Sequence, residues 1–541
     1  MSRREAWLSA GLIFGAALLV RAIFAAQIVF PKPEDTAYYV GVARNLLEGR
    51  GLVSDALWSF QTPPLIFPRP AFEVWLPLPT FLAAISMALF GATFASAQLG
   101  SVVVGSLVPV LAWRLAADVA IERGFPLGRA RTLALGTGLT CAAYLPLILH
   151  STLPDSTMPF AALALAACLL MSRIAREHRA LRVGDLRVIA LGVLIGLAAL
   201  TRNEAIWIGL AWAIVALRIP GLDRAARVRG VAVAGFVAFL VFAPWMIRDW
   251  IVFGSPLPGQ AVANALSVTG FDIFAWNDPP TIGRYLALGP GRLLELRVAG
   301  VSHNLLNVLL LPGAPLSVVG FLALGWSIRD TALRPVVLVT AATFLATSLA
   351  FPVSTIWGTF LHAAGPAHVL LIISALIGLD RAMMWVGTRR GWTRPVAWLG
   401  AVLGVAGSIL FSTVFMTLFG TGSRETAMQY EELGRRMAAI GEPLNQRERP
   451  VISSNPIWVA ETQRASALAL PNELPADVVD LAATFRARLL ILIGNEHGHW
   501  PAILESGVEG ADCFRQLDLG AGPRDGPDPL ADVRVYMIAC P

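Results

Sequence analysis

Apolar runs alternating with short arginine clusters constrain this chain most. Runs long enough to cross a bilayer, roughly 17–25 residues each, recur from the N-terminus to about Phe419, with the arginines gathered between them. Only 14% of the 541 residues are charged, against about 25% in soluble domains. The mean hydropathy of +0.65 agrees. The pattern predicts an α-helical polytopic membrane protein. The net charge of +6 does not mark a nucleic-acid binder, because the cations sit between spans rather than on one face. Lys32 is the only lysine among the 42 cationic residues, a bias that reads as a GC-rich bacterial genome.

About eleven spans are expected, at 7–30, 96–117, 131–149, 156–173, 187–201, 205–218, 229–247, 305–328, 335–351, 365–382 and 395–419. The pair 187–201 and 205–218 is short for two full crossings. The apolar stretch 74–90 is left out of the count. Including it would turn the loops carrying Arg123, Arg129 and Arg131, and then Arg173, Arg176, Arg179, Arg182 and Arg187, away from the cytoplasm. Leaving it out keeps them inside, together with Arg218, Arg224, Arg227 and Arg229 and with Arg381, Arg389, Arg390 and Arg394. The stretch is therefore expected to be re-entrant or interfacial, as Pro77 and Pro79 suggest. Arg3 and Arg4 precede a run too long for a signal core, so an uncleaved anchor with its N-terminus inside is expected. Segments 31–95, 150–155, 202–204, 248–304 and 352–364, and everything after 420, then face outward, placing the loops and C-terminal part in the periplasm of a bacterial inner membrane.

From about Arg424 charged residues become frequent. A helix is expected at Thr426–Ala439, strands at Pro450–Ser454 and Arg488–Gly494, a helix between them at Ala476–Arg486, and a last strand at Val533–Ala539. Residues 1–423 thus form a membrane domain and 424–541 a small α/β accessory domain. Cys141 and Cys168 lie in apolar runs and read as packing residues. Cys513 and Cys540 lie in the polar domain, where a disulfide would suit an outward location, though spacing does not test its geometry.

The chemistry concentrates in Pro31–Leu52, PKPEDTAYYVGVARNLLEGRGL. Asp35 falls just past the first span. Tyr38, Tyr39, Val42, Leu46 and Leu47 come after it at helical spacing, an amphipathic surface helix ending at Gly49 and Gly51. Glu34 and Asp35 could simply cap that helix. Capping accounts for one acid but not for the rest of the pattern.

An acid after the first span, then Tyr-Tyr, Ala-Arg-Asn-Leu and Gly-x-Gly, resembles the first outward loop of GT-C glycosyltransferases. The nearest likeness is to bacterial relatives of protein O-mannosyltransferases and lipid A aminoarabinose transferases. Phe67–Phe72 (FPRPAF) resembles their Lys/Arg-Pro-Pro segment, and Ser151–Pro159 (STLPDSTMP) their second loop with its own acid, Asp155. Gly196–Glu204 (GLAALTRNE) and Pro244–Pro258 (PWMIRDWIVFGSPLP) resemble two further segments. The likeness keeps this order over about residues 7–420. Here the acid pair is Glu-Asp where the family often has Asp-Glu, and Asp35 keeps the spacing to Tyr38.

The resemblance implies an inverting transfer of a sugar from a polyprenyl-phosphate donor, with Asp35 as general base and Glu34 secondary. Arg69 is the candidate phosphate ligand, weighed evenly against a snorkelling arginine. Asp155 is a loop charge or a second active-site group, orienting the acceptor or holding a divalent metal with Asp35. The wider superfamily has members with and without metal, so no cofactor is assigned. His150 reads as structural. Arg202 and Glu204, between two apolar runs, are functional or mutually paired, and pairing is favoured for Glu204. Arg248 is expected to bind phosphate. His303, His362 and His368 lie near outward ends of spans, and His362 falls where the family places donor-binding groups. His497 and His499 lack further zinc ligands, so the C-terminal domain is read as an accessory module for acceptor recognition or membrane packing. The expected partners are a lipid-linked sugar, membrane lipids and a glycan, lipid or protein acceptor. The rival is a transporter or flippase of a lipid-linked intermediate, against which stands the lack of paired, interrupted repeats. A non-catalytic scaffold would leave the loop arginines unexplained.

Overall fold

The computed structural model describes residues 3–177, 184–392, 396–520, 522 and 526–539; Arg179, Arg182, Arg394 and Cys540 lie outside them. Along the chain run α1 (Arg3–Ala25), α2 (Glu34–Leu47), α3 (Leu78–Phe90), α4 (Phe94–Glu122), α5 (Leu127–Ala143), α6 (Leu145–Ser151), α7 (Thr157–Glu177), α8 (Leu186–Ala199), α9 (Ala205–Leu217) and α10 (Arg224–Phe253). Then come α11 (Ala261–Leu266), α12 (Ile282–Ala287), α13 (Gly289–Ser302), α14 (Leu316–Ser327), α15 (Arg334–Ala350), α16 (Gly365–Arg389), α17 (Ala397–Ala439), α18 (Pro456–Gln463) and α19 (Pro475–Phe485). Side-chain caps mark several starts: Thr93, Asp185 and Asp223 accept first-turn amides of α4, α8 and α10.

Among the described residues seven helices are long and apolar enough to cross a membrane, or eight if the bent pair α5–α6 is one span. Shorter apolar helices, among them α8 and α9, stand beside them. Each expected span overlaps helix among the described residues, but the first helix ends at Ala25, short of position 30, and another boundary differs more. The expected span 305–328 begins earlier, within Gly289–Gly313, which alone has the length of a span, and the chain resumes as α14 after a break. Pro312 and Pro315 lie in or beside that break and offer no amide hydrogen. The stretch 74–90 is the 13-residue α3, short for a crossing, and Pro77 and Pro79 mark its start rather than interrupt it.

The two ends of the helix bundle differ in chemistry. At one, Arg123 pairs with Asp330, Arg129 with Asp380, Arg131 with Glu5 and Arg176 with Asp118. Glu122 accepts the amides of Thr331 and Ala332 there. The opposite end carries α2, the α6–α7 loop, the α8–α9 turn and the segment before α16. Gln98, near the start of α4, ties it by donating to carbonyls of Ala25, Ile28 and Thr152.

The 53° bend between α5 and α6 has an identifiable cause. Pro146 has no amide hydrogen, which frees the carbonyl four residues back, that of Ala142. Arg21 of α1, fully buried, donates to that carbonyl at 3.1 Å, to Cys141 O at 3.4 Å and to Ser151 Oγ at 2.9 Å. The cation is thereby held inside the bundle by the dipoles the bend exposes.

The first loop carries three short strands, β1 (Val53–Ser54), β2 (Ala56–Leu57) and β3 (Arg69–Pro70), of which β1 and β3 pair as a ribbon. The C-terminal strands expected from sequence are present as β4 (Val451–Ser453), β6 (Leu489–Ile493) and β8 (Val533–Ile538), with β5 (Ala467–Ala469) and β7 (Phe514–Gln516) added. The six-stranded sheet has the order β2-β5-β4-β6-β8-β7. Its edge strand β2 thus comes from the first loop, and it runs parallel to β5. The expected helix 426–439 is the end of α17, which runs unbroken through position 424 into the C-terminal unit. Cys141 and Cys168 are buried and free, as expected of packing residues, and Cys513 is disulfide-bonded.

Candidate active site

Four groups from three loops meet at the end of the bundle that carries α2. Asp35 lies in the first turn of α2, where negative charge suits the helix dipole. Its Oδ2 is 2.9 Å from Nε2 of His362, which sits in a short helical turn, Leu361–Ala363, ahead of α16. On the other side of the ring, Nδ1 lies 2.7 Å from Thr157 Oγ1 and 3.8 Å from Asp155 Oδ2. Asp155 accepts the Thr157 amide at 2.7 Å through Oδ1 and meets His150 Nδ1 at 3.2 Å through Oδ2. An imidazole therefore stands between two carboxylates, with a second imidazole behind.

Burial ranks the cluster. The Asp155 side chain is sealed and His362 nearly so, while Asp35 keeps 20% of its side chain exposed. Asp35 is the member an incoming group can reach. Burial acts to raise its pKa, but the charge and hydrogen bond of His362 outweigh that and hold the carboxyl below its ordinary value. Burial likewise acts to lower the imidazole, and Asp35 reverses the sign, holding His362 above its ordinary value.

His150, Asp155 and His362 offer ligand atoms within 4.8 Å of one another. Two imidazoles and a carboxylate could hold a divalent ion, leaving positions open. Of these, His150 and Asp155 meet each other, while His362 is held by Thr157 and Asp35 and stands 3.8 Å from Asp155.

Arg202 forms one wall. Its guanidinium grips Glu204 at 3.0 and 2.8 Å, the pairing favoured for that acid, and reaches Ser156 Oγ at 2.9 Å and Thr359 O at 3.2 Å. Its charge is felt by Asp35 and Tyr39. The structure does not bring Arg69 into this cluster. That arginine is fully buried, donating to Ser59 O at 2.6 Å and Thr62 O at 2.7 Å beside Glu73 at 3.3 Å. Arg248 lies over Trp245 and Phe253 and pairs with Asp249 at 2.8 Å. Both arginines act on the charge of Glu73, a buried acid whose pKa burial raises. Tyr38 is buried too, its hydroxyl accepting the Phe72 amide at 2.7 Å and its ring tilted against Trp75.

Glu34 turns away from Asp35. It does not cap its own helix; its Oε1 accepts the amides of Ile457 at 3.0 Å and Trp458 at 3.4 Å, in the first turn of α18. His303 touches Asn307, His368 packs near Tyr144, and His497 and His499 meet carbonyls of Leu470 and Glu473. Sequence reading treats His150 as structural and passes over Thr157, Ser156 and Glu73. Only the five-residue interval between His150 and Asp155, on one short loop, offers a signal for that histidine.

A family profile described as dolichyl-phosphate-mannose-protein mannosyltransferase matches residues 69–248. No curated protein matches the chain by sequence. The fold is similar to that of ArnT from Cupriavidus metallidurans solved with undecaprenyl phosphate, with a TM-score of 0.56, 13% identity and 99% of each chain covered. The apo form of the same protein gives 0.54 at 13% identity over 100% of each chain. An archaeal oligosaccharyltransferase, AglB from Archaeoglobus fulgidus with an inhibitory peptide and a dolichol-phosphate, gives 0.52 at 13% identity over 93% of this chain and 72% of that one. The protein is thus a multi-pass membrane protein with the fold of the GT-C glycosyltransferases, the family its ordered loop motifs resemble.

Proposed function

We propose that the protein transfers a sugar from a polyprenyl-phosphate donor to an acceptor hydroxyl, with Asp35 as general base. The observation that carries this reading is the carboxylate of Asp35, kept ionised by His362 and left open at the helix ends. The acceptor oxygen attacks the anomeric carbon, its proton passes to Asp35, and the bond from that carbon to the phosphate oxygen breaks. Polyprenyl phosphate leaves with the electron pair, and the sugar inverts. His362 orients the Asp35 carboxylate before the proton arrives, while Asp155 and Thr157 fix the ring.

The leaving phosphate needs cations. Arg202 is the one whose charge acts on Asp35; Arg248 acts on Glu73, and Arg69 would first have to exchange its carbonyl partners. The likeness to structures that hold undecaprenyl phosphate or dolichol-phosphate supports such a donor. The arginine-rich end faces the cytoplasm by the positive-inside rule, which puts Asp35 and the C-terminal unit on the periplasmic side of a bacterial inner membrane. Nucleotide sugars are absent there, so a lipid carries the donor sugar.

Asp35→Asn tests the reading. It is nearly isosteric and cannot take the proton. We expect loss of the transferred sugar from the lipid and glycan profile of cells that express the variant at wild-type level. An unchanged profile would refute the role of Asp35.

A further inference from the structure

The first loop carries two adjacent acids, and they face different partners. Asp35 meets His362. Glu34 enters the C-terminal unit and bonds the first-turn amides of α18. Those amides have no partner inside their own helix, and Pro456 before them has no amide hydrogen. The Glu34 carboxyl supplies the acceptor that α18 lacks, since Asn455 at its N-cap makes no side-chain cap bond.

The contact continues along the whole of α2. Gly41 lies against Glu461, where a Cβ would stand 3.0 Å from Oε2. Arg44 pairs with Glu461, and Glu48 with Arg464. Positions 34, 41, 44 and 48 are spaced seven, three and four apart, which is one stripe of a helix. Asp35 lies on the adjoining stripe, one residue round. Thus α18 grips α2 from first turn to last, and Asp35 projects beside the grip. The loop before α2 is held as well: Trp458 Nε1 donates to Pro31 O at 2.9 Å. The sheet anchors α18 through buried Ile457, Val459 and Ala460, and β2 joins that sheet from the first loop.

We propose that Glu34 is a positioning residue: by bonding the start of α18 it sets the height and rotation of α2, and so the place of Asp35 against His362. This rests on the reading of Asp35 as the base. The C-terminal unit is then part of the scaffold of the reaction centre rather than an accessory. What Glu34 contributes is an acceptor oxygen at the right reach, not a charge. Glutamine keeps that oxygen, aspartate keeps the charge but falls one methylene short, and alanine has neither.

The full-length protein is expressed as wild type, Glu34→Gln, Glu34→Asp, Glu34→Ala and Asp35→Asn. Product is read from the cellular lipid and glycan profile. Integrity is read from the melting temperature of each purified chain with and without undecaprenyl phosphate. We expect Glu34→Gln to stay within about threefold of wild type. Glu34→Asp and Glu34→Ala should lose tenfold or more of product, with the shift by undecaprenyl phosphate retained. If Glu34→Ala does not fold, the aspartate variant decides. Full product from the alanine variant, or from the aspartate variant where alanine does not fold, overturns the proposal, as does a glutamine variant as impaired as alanine. Full product from Asp35→Asn defeats the underlying reading instead, so the two failures are told apart.

Discussion

Glu34 and Arg202 show how burial sets what one substitution will do. Burial pushes the Glu34 carboxyl up to about 7, against the pull of the two amides of α18. A carboxyl with a raised folded pKa binds more protons folded than unfolded. Its stabilisation is fully present below its ordinary value of 4.5 and is lost as pH rises towards 7. Glu34→Gln removes that titration and keeps the acceptor. Its melting temperature should therefore gain on wild type between pH 4.5 and 7 and hold the advantage above, a difference on the order of a few kcal/mol at most. A difference independent of pH would contradict the burial of this group. Arg202 carries the opposite risk. Its removal leaves buried Glu204 without its bidentate partner, so Arg202→Met should cost about 3–5 kcal/mol, while Arg202→Met with Glu204→Met should cost much less. A melting-temperature cycle checks this. Arg202 announces its main partner locally, in Glu204 two positions on, but Arg69 does not: it is one cation in a loop, and the Ser59 and Thr62 carbonyls that claim it are placed by the tertiary fold. That is why the motif marks Arg69 as a ligand while the structure buries it.

At the scale of elements, the bend between α5 and α6 depends on α1. The Ala142 carbonyl freed by Pro146 is bonded by Arg21. Arg21→Met should lower the melting temperature, by about 1–3 kcal/mol for each carbonyl left unpaired. Pro146→Ala returns an amide to that carbonyl, so the double variant should melt above Arg21→Met alone. If it melts lower, the bend has another cause. The spans were legible because hydropathy and arginine clustering are properties of contiguous sequence, and so were β4, β6 and β8 as dense apolar runs. The strand β2 was not. It is two residues long, and nothing in Ala56–Leu57 specifies its partner. The start of α13 was missed because Gly289–Ser302 mixes Arg292, Glu295 and Arg297 into its turns.

At the scale of the whole molecule, the arginine-rich end and the Asp35 end lie at opposite ends of one bundle. Asp278 and Leu127, one towards each end, are both exposed. Asp278→Cys should react with an impermeant maleimide added to intact spheroplasts, and Leu127→Cys only after the membrane is opened. Labelling of both from one side would overturn the proposed orientation. Asp35 and Asp155 were legible as acids just past the ends of spans. Their meeting through His362 was not, since His362 lies more than two hundred positions from Asp155 and convergence of that kind is written only in the fold.

Ala56 pairs with Ala467, 411 positions later. During synthesis the first loop leaves the ribosome early and waits, its edge strand unpaired, while nearly all the remaining spans are made. The helix that grips α2 and the strand that receives β2 both follow α17 in the sequence. A chain stalled before α18 can insert into the membrane and still lack the contacts that hold α2, so the order of the sequence itself sets when the proposed site can form.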